Sequence, residues 1–408
     1  MVVMRPARTA AAVLLAVALP AVQAGAQEGH SAARDVRLAA DAVVSSDLWV
    51  EHDGAESSTT LDLMGGWRVG AIDVIGRPVL RRDHEGEWHA DIYQLAARYG
   101  RGERVRWRVD AGYLPSPIGI SPLESRADVN PLIAPITAYT SRLPLFEHGT
   151  PQTQLATPLY PLAAQLTVSS TRWDARLAVL ESSLVRVRPL TGDDKPPRAP
   201  QLALGAGITP RIGLRLGASM AHGRYARAAE TAAPASPDRT ATIVSADGDW
   251  SFGYSRLYGD FVRTSFKRAA AAPVVATAFT LTGVQTLSPR WFVAGRAQRL
   301  STSDRVESQP SPAYGHGYGH EYGNEGGDDY GEGHDSYGDS HDDGDDGGDD
   351  ALTWISIGAA QALSLETVAG FRLTPAITVR AGYLGYRGYV DAALEHHATL
   401  SIVWARRW

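Results

Sequence analysis

The chain has 408 residues, of which 44% are hydrophobic and 21% are charged, so it can form two ordinary domains or one large sheet. It contains no cysteine, which excludes disulfides, thiol catalysis, iron–sulfur clusters and cysteine-ligated zinc. The formal net charge is −6, yet residues 311–350 hold thirteen acidic side chains and no lysine or arginine. The rest of the chain is therefore mildly basic.

Residues 1–26 predict a secretory signal peptide of bacterial type. Two arginines precede an apolar run over residues 10–19, which is too short to span a bilayer, and small residues suited to a peptidase cleft follow it. Beyond this segment no stretch approaches the ~18 consecutive apolar residues that a membrane helix needs. We expect residues 27–408 to form a single domain.

From residue 35 onward, segments of about ten residues alternate between apolar and polar side chains, which is the pattern of half-buried strands. In residues 104–113, valine, tryptophan, alanine and tyrosine fall on one face, whereas three arginines and an aspartate fall on the other. The same separation recurs in residues 173–179, 214–220 and 377–383. Strands with one apolar face and one charged face separate an apolar environment from an aqueous one.

The connections between these segments alternate in length. Short turns are predicted at 65–66, 100–103, 170–172, 209–211, 247–249, 288–290 and 374–375. Longer polar loops are predicted at 51–57, 83–87, 116–160, 183–199, 223–238, 266–273, 302–350 and 389–393. Together they join sixteen strands, with fourteen to eighteen as the tolerated range. The pattern predicts an all-β fold, a closed transmembrane antiparallel β-barrel of the bacterial outer membrane, with short periplasmic turns and longer outer loops.

Tryptophans mark one rim of this predicted barrel. Four of them directly follow a predicted short turn: Trp67, Trp173, Trp250 and Trp291. Indole rings prefer the boundary between hydrocarbon and lipid headgroups, so we interpret them as part of an aromatic girdle. The alternative is that they cap the core of a soluble sandwich.

The last strand is amphipathic and ends on an aromatic residue. Leu400, Ile402, Trp404 and Trp408 share one face. This strand resembles the C-terminal signal that the outer-membrane insertion machinery recognises in bacterial barrels, and the resemblance implies that machinery as a partner. Arg406 departs from the signal, because it stands on the outward face where an apolar residue is usual.

A barrel of about sixteen strands encloses a water-filled lumen. We predict that its lining includes Arg104, Arg106, Arg108, Asp110, Arg176, Arg215 and Arg380, which lie opposite the apolar faces. These arginines can concentrate anions in the lumen. Alternatively, they pair with inward carboxylates such as Asp110 and leave ion preference unchanged.

The third outer loop, residues 116–160, is rich in proline and apolar side chains, which indicates that it folds against something. We expect it to bend into the barrel and narrow the lumen. The candidate constriction residues are Pro117, Gly119, Glu124, Arg126, Asp128 and Arg142.

The segment Gly112–Ile120 follows a basic strand and resembles the Gly-x-x-x-x-Pro-x-Gly-x-Glu pattern of the phosphate-selective porin O/P group. Ser121 stands where that pattern has its glutamate. The resemblance implies a porin with an inward third loop, and porins commonly form trimers. The third loop carries Arg126 and Arg142 against three carboxylates, so the resemblance does not carry phosphate selectivity over to this chain.

The acidic segment 302–350 is expected to be a disordered outer loop, because its glycines and repelling carboxylates oppose folding. It also contains the candidate metal ligands His316, His320, His334 and His341. Imidazole and carboxylate groups bind Zn²⁺, Cu²⁺ or Ni²⁺, and aspartates suit Ca²⁺, but the segment does not hold these groups in a fixed arrangement. It is either a solvated surface loop or a weak divalent-cation site, and we expect no other cofactor.

Catalysis and nucleic-acid binding have little support. The pairs His52-Asp53 and Asp83-His84 fall in predicted outer loops, where such pairs arise by chance, and no G-x-S-x-G or H-E-x-x-H motif is present. The sequence therefore predicts a non-enzymatic porin in contact with lipid that passes small polar or anionic solutes by passive diffusion. The alternatives are a barrel that captures divalent cations through its His/Asp loop, or a non-conducting scaffold or adhesin.

Overall fold

The computed structural model describes residues 37–51, 54–82, 86–120, 126–143, 153–157, 161–186, 199–228, 237–269, 272–303, 306–308, 355–357, 361–388 and 393–408. The predicted signal peptide, the residue pairs 52–53 and 83–84, and most of segment 302–350 lie outside these residues. The predictions made for them remain predictions.

Sixteen strands form one antiparallel sheet in chain order. They are β1 Arg37–Val50, β2 Ala55–Val69, β3 Ile72–Arg82, β4 Trp88–Arg101, β5 Arg106–Tyr113, β6 Leu162–Ser169, β7 Trp173–Leu180, β8 Gln201–Arg211, β9 Leu214–Ala226, β10 Arg239–Phe252, β11 Ser255–Phe266, β12 Val274–Thr286, β13 Trp291–Thr302, β14 Gln361–Thr374, β15 Ile377–Arg387 and β16 Glu395–Arg407. Two short ladders lie outside the sheet, Arg142–Leu143 with Thr153–Gln154 and Val306–Ser308 with Ile355–Ile357.

The sheet closes on itself because the first strand pairs with the last. Strand β1 lies antiparallel to β16, in register from Asp41 opposite Arg407 to Val50 opposite Ala398. Closure leaves no strand edge unpaired, as a sheet in hydrocarbon requires. The predicted sixteen-stranded closed barrel is confirmed.

The connections alternate between a short-turn rim and a long-loop rim. Seven of them are short turns, and the other eight lie at the opposite rim, where the third loop connects β5 to β6. Two predicted turns were wrong. Residues 65–66 lie within β2 and residues 247–249 within β10, and the chain reverses instead at 70–71 and 253–254. A third, at 209–211, lies at the end of β8, and the chain turns at 212–213.

The error at 247–249 has a simple structural cause. Asp247 and Asp249 occupy alternate positions of one strand, where both side chains form ion pairs with arginines, and Gly248 lies between them. An Asp-Gly-Asp sequence is typical of a turn, but here it is the period-two pattern of a strand whose polar face lines the lumen.

The exterior of the barrel is apolar and carries an aromatic girdle at the short-turn rim. Outward tryptophans near this rim are Trp67, Trp107, Trp173, Trp250, Trp291 and Trp404. Several pack against aromatic neighbours, with ring centroids 4.3 Å apart for Trp250 and Phe252 and 4.6 Å apart for Trp291 and Phe371. Trp67 and Trp250 precede their turns, whereas we predicted that they follow them.

The last strand places Leu400, Ile402 and Trp404 on the outward face, as the alternation predicts. Arg406 also points outward near the short-turn rim, and its guanidinium lies 5.3 Å from the ring centroid of Trp408. A cation near an indole face at the headgroup level is a stable arrangement for an outward arginine.

The helical content of the described residues is small. Helix α1, Thr137–Thr140, is a single turn within the third loop. Among the described residues, no helix has both the length and the apolar character needed to cross a membrane.

Candidate functional site in the barrel lumen

The described part of the third loop lies inside the barrel. Ile118, Tyr139 and Leu155 of this loop are fully buried, in one apolar cluster with the inward side chains Val262 and Leu300 of the wall. A second cluster joins loop residues 132–133 to inward residues of β13 and β14. The apolar residues that set this loop apart in the sequence therefore fill part of the lumen.

A buried ion pair on the wall holds the middle of the loop. Glu366 of β14 accepts hydrogen bonds from the backbone N–H groups of Ile133, at 2.7 Å, and Ala134, at 2.8 Å. Its other oxygen accepts from Arg296 of β13 at 2.8 Å, and Arg296 also donates to the carbonyl of Ala134. The side chains of Arg296 and Glu366 are at most 1% exposed, so the loop covers both charges.

Arg380 of β15 holds the preceding turn of the loop. Its Nη1 donates to the carbonyl oxygens of Asn130 and Leu132, each at 2.8 Å, and its Nη2 donates to Ser401 of β16 at 2.8 Å. Arg126 extends the loop's attachment to β1, where it lies 3.6 Å from Asp41. The loop thus contacts the barrel wall from β13 round to β1.

Two separate parts of the loop, at Ile120 and at Tyr139, are attached to β11 through Asp260. The hydroxyl of Tyr139 donates to Oδ2 of Asp260 at 2.8 Å, and the backbone N–H of Ile120 donates to the same oxygen at 3.3 Å. Burial and the neighbouring Asp260 carboxylate raise the pKa of Tyr139 well above its ordinary value, so the phenol stays protonated and remains the donor.

Gly119 makes this attachment possible. Its φ is +69°, and a Cβ there would lie 2.4 Å from the Tyr139 hydroxyl and 2.7 Å from the Asp260 carboxylate. Any side chain at this position meets both the left-handed backbone penalty and a steric clash with the anchor.

The substitution Gly119→Ala should therefore destabilise the folded barrel, by the ~1–2 kcal/mol of the backbone penalty and more from the clash. Urea unfolding, followed by the shift of the folded band in unheated gels, measures the change. Gly253→Ala is the matched control, because Gly253 also has a positive φ, +56°, but nothing lies within 4 Å of its Cβ position. Equal destabilisation by the two variants would contradict the anchor.

Strands β4 to β10 carry a chain of ion pairs on the arc of wall away from the loop's main anchors. Arg98 and Arg108 donate to the two oxygens of Asp110 at 2.6 and 2.7 Å. Arg215 of β9 donates to Asp174 of β7 at 3.0 Å and also to Asp247 of β10.

Two glycines leave room for the Arg215 bridge. A Cβ at Gly207 would lie 2.6 Å from the Arg215 guanidinium, and one at Gly217 would lie 2.5 Å from the Asp247 carboxylate. Small residues in the wall therefore allow the three charged groups to meet across four strands.

The exposure of the arginines distinguishes the two sides of the lumen. The side chains of Arg98, Arg108 and Arg215 are 31%, 40% and 32% exposed, whereas those of Arg296 and Arg380 are 1% and 3% exposed. Water therefore reaches the short-turn half of the arc of β4 to β10, and the third loop seals the charged groups opposite. In the long-loop half of β7 to β10, inward residues such as Leu180 and Ile243 are buried in the apolar cluster of the loop. We call strands β4 to β10 the open arc.

Arg176 adds a further positive charge to the open arc. It points inward from β7, and its register neighbours are Thr167 of β6 and Gly205 of β8. Within the part of the chain that the structure describes, its buried Nε has no hydrogen-bond partner. The short-turn half of the open arc, which we call the central arc, thus has five inward arginines, Arg98, Arg106, Arg108, Arg176 and Arg215, against the carboxylates of Asp110, Asp174, Asp247 and Asp249.

The predicted lining residues fall into three groups. The structure places Arg106, Arg108, Asp110, Arg176 and Arg215 on the inward face of the open arc. Arg380 points inward but lies beneath the third loop. Arg104 does not line the lumen as we predicted. The turn after β4 extends to residue 105, so Arg104 lies exposed at the short-turn rim, outside the strands.

Of the predicted constriction residues, Pro117 and Gly119 are buried within the third loop. Arg126 donates to Asp128 at 3.0 Å, so these two charges largely satisfy each other. Arg142 lies in the short ladder that pairs with Gln154. Glu124 lies outside the described residues, as do His316, His320, His334 and His341, so the metal prediction remains a prediction.

Sequence reasoning missed the residues that hold the loop in place. Glu366 is the only acidic residue in strand β14, and alternation with Leu363 and Leu365 places it on the inward face. The same alternation places Asp260 of β11 and Arg296 of β13 on the inward face. What the sequence did not reveal is that all three contact a loop more than a hundred residues away along the chain.

Comparisons with known proteins support the fold alone. No protein-family model matches the chain, and no curated protein matches it. Among solved structures, Salmonella typhi OmpF is similar with a TM-score of 0.52 and 9% identity, covering 91% of this chain and 97% of that chain. Vibrio cholerae OmpT has a TM-score of 0.51 and 8% identity, with 94% and 100% covered.

An anion-selective porin from Comamonas acidovorans is similar with a TM-score of 0.50 and 8% identity, covering 92% of this chain and all of that chain. The narrower resemblance to the phosphate-selective porin O/P group is not confirmed by these comparisons. By its closed sixteen-stranded sheet, apolar exterior and girdle, the chain is an outer-membrane β-barrel with the fold of the bacterial porins.

Proposed function

We propose that this barrel is a porin through which small polar solutes cross the outer membrane by passive diffusion, with a bias toward anions. The observation that carries the proposal is the two-sided lumen. The third loop covers the buried charges of β13 to β15, and the arginines of the open arc remain exposed to water.

The proposed solute path is off-centre and follows the open arc. Its size limit comes from the gap between the arc and the third loop, which is held by Glu366, Arg380 and Asp260. Because the loop's attachment uses buried charge pairs and backbone hydrogen bonds, we expect a constant aperture rather than a gate.

The proposed anion bias is modest. Most of the positive charge on the open arc is paired with aspartate, and the central arc keeps one more arginine than carboxylates. A surplus charge in a low-dielectric wall still raises the local concentration of the opposite ion. Nothing in this mechanism needs a catalytic group, and solutes move down their concentration gradients.

The test is a planar-bilayer recording of the purified barrel under a tenfold KCl gradient. We expect stepwise, steady currents and a reversal potential whose sign reports a preference for chloride. A barrel that inserts but passes no steady current would instead support the non-conducting scaffold. A reversal potential of the cation sign would contradict the anion bias and leave passive diffusion standing.

A further inference from the structure

An exposed basic patch lies on the outward, lipid-facing side of the barrel, away from the lumen. Arg263 of β11 and Arg299 of β13 are exposed and occupy outward positions, since they fall between the buried inward residues of their strands. Both lie in the half of their strands nearer the long-loop rim. Charged side chains on this face are costly unless they reach polar groups.

The strand register brings the two arginines together. Arg263 faces Thr277 of β12, Thr277 faces Ser301 of β13, and Arg299 is two residues from Ser301 along the same strand. With neighbouring strands ~4.8 Å apart, the two arginine Cα atoms lie about 12 Å from each other. Two extended arginine side chains can therefore meet at one anion.

Hydroxyl groups lie between the arginines, and aromatic rings lie below them. Thr277 and Ser301 share a hydrogen bond of 2.8 Å on the outward face. Phe261 and Phe279, which face each other in register and are 45% and 48% exposed, lie on the side toward the apolar belt. We call Arg263, Thr277, Arg299, Ser301 and these two phenylalanines the outer patch.

The arginines of the outer patch have no acidic partner among the residues that the structure describes. Arg299 donates to the amide oxygen of Gln361 at 3.2 Å, and Arg263 has no described ion pair. At the same rim, the outward residues of β6, β7 and β8 include the apolar Leu162, Val179 and Leu202. Two further outward arginines lie near this rim: Arg224 of β9, which pairs with Asp238 at 2.9 Å, and Arg387 of β15, which lies opposite Leu363 and two strands from Arg299.

We propose that the outer patch binds the phosphate headgroup of an anionic membrane lipid in the leaflet at the long-loop rim. Two guanidinium groups and two hydroxyls are suited to a phosphate, and none of the described carboxylates pairs with either arginine. The phenylalanines below would contact the first carbons of the acyl chains. A bound phosphate would also satisfy the charge of arginines that otherwise face hydrocarbon.

The test is native mass spectrometry of the purified full-length barrel in detergent with dioleoyl phosphatidic acid, compared with dioleoylglycerol, which has the same chains and no phosphate. We expect the barrel to retain phosphatidic acid and to bind dioleoylglycerol about tenfold more weakly or not at all. Equal retention of the two lipids would overturn the proposal. Displacement of phosphatidic acid by an equal concentration of inorganic phosphate would also overturn it, because the site would then be a free-anion site.

The double variant R263Q/R299Q should weaken phosphatidic acid binding about tenfold, whereas R263K/R299K should retain most of it. R211Q/R406Q is the matched control, since it removes two arginines near the short-turn rim and should bind as the wild type does. Heat-modifiable migration shows that each variant is folded, and R299Q alone replaces the double variant if that variant does not fold.

Unchanged binding by R263Q/R299Q would overturn the proposal. So would a wild-type oligomer that becomes monomeric in this variant regardless of lipid, because the patch would then be an interface between two copies of the chain.

Discussion

Replacing Glu366 with alanine should release the middle of the third loop and increase the unitary conductance of the channel. The substitution removes the acceptor of two backbone N–H groups and leaves Arg296 buried without its partner. Breaking one side of a buried ion pair costs about 3–5 kcal/mol, which exceeds what a few apolar loop contacts can restore. We therefore expect larger, noisier current steps and a lower urea midpoint.

Two variants make this result interpretable. Glu366→Gln keeps an oxygen for the loop N–H groups but loses the charge, so it should fall between the wild type and the alanine variant. Asp73→Asn breaks an ion pair with Arg68 in which both side chains are about a third or more exposed, and it should change neither conductance nor stability measurably. A Glu366→Ala channel with wild-type conductance and stability would show that the loop is held by other contacts.

The second large effect concerns the charge of the open arc. The double variant Arg108→Gln/Arg176→Gln should lower the permeability ratio of chloride to potassium about tenfold, because the surplus on the central arc changes from one arginine to one carboxylate. Asp110 keeps Arg98 as a partner at 2.6 Å, so the wall should still fold. Reversal potentials in a salt gradient measure the change.

The control for this prediction places the same loss of charge outside the lumen. Arg172 and Arg290 lie exposed in short turns, and the variant Arg172→Gln/Arg290→Gln should keep the wild-type ratio. If both double variants shift the ratio equally, the selectivity comes from the overall field of the barrel. If neither variant shifts it, the inward arginines serve only to hold the wall together through their ion pairs.

The class of fold was predictable because two simple periodicities repeat along the chain. Residues 173–180 show the clearest case, in which Trp173, Leu177 and Val179 are exposed to lipid while Asp174 and Arg176 point inward. The alternation of short and long connections then predicted sixteen strands, within a tolerated range of fourteen to eighteen. Turn positions were less reliable, because glycine and aspartate occur in the inward face of strands as well as in turns.

The lumen could be predicted only in part, for a physical reason. The alternation of side chains along a strand assigns a residue to the inside of the barrel. It does not say whether that residue contacts water or another segment of the chain. Arg108 and Arg380 are equivalent by that criterion, yet one is 40% exposed and the other lies under the third loop. That difference depends on long-range contacts, such as Arg380 with Leu132, which no local pattern encodes.

The third loop seals one side of the lumen and leaves the short-turn half of the other side open to water. The chain has no cysteine, so single cysteines can report on this arrangement directly. We expect a membrane-impermeant anionic methanethiosulfonate to label Thr167→Cys, on the inward face of the open arc. It should label Ser364→Cys, which is inward but 1% exposed, at most slowly, and Thr367→Cys, which faces lipid, at most slowly as well. Equal labelling at Thr167→Cys and Ser364→Cys, or none at Thr167→Cys, would contradict the two-sided lumen.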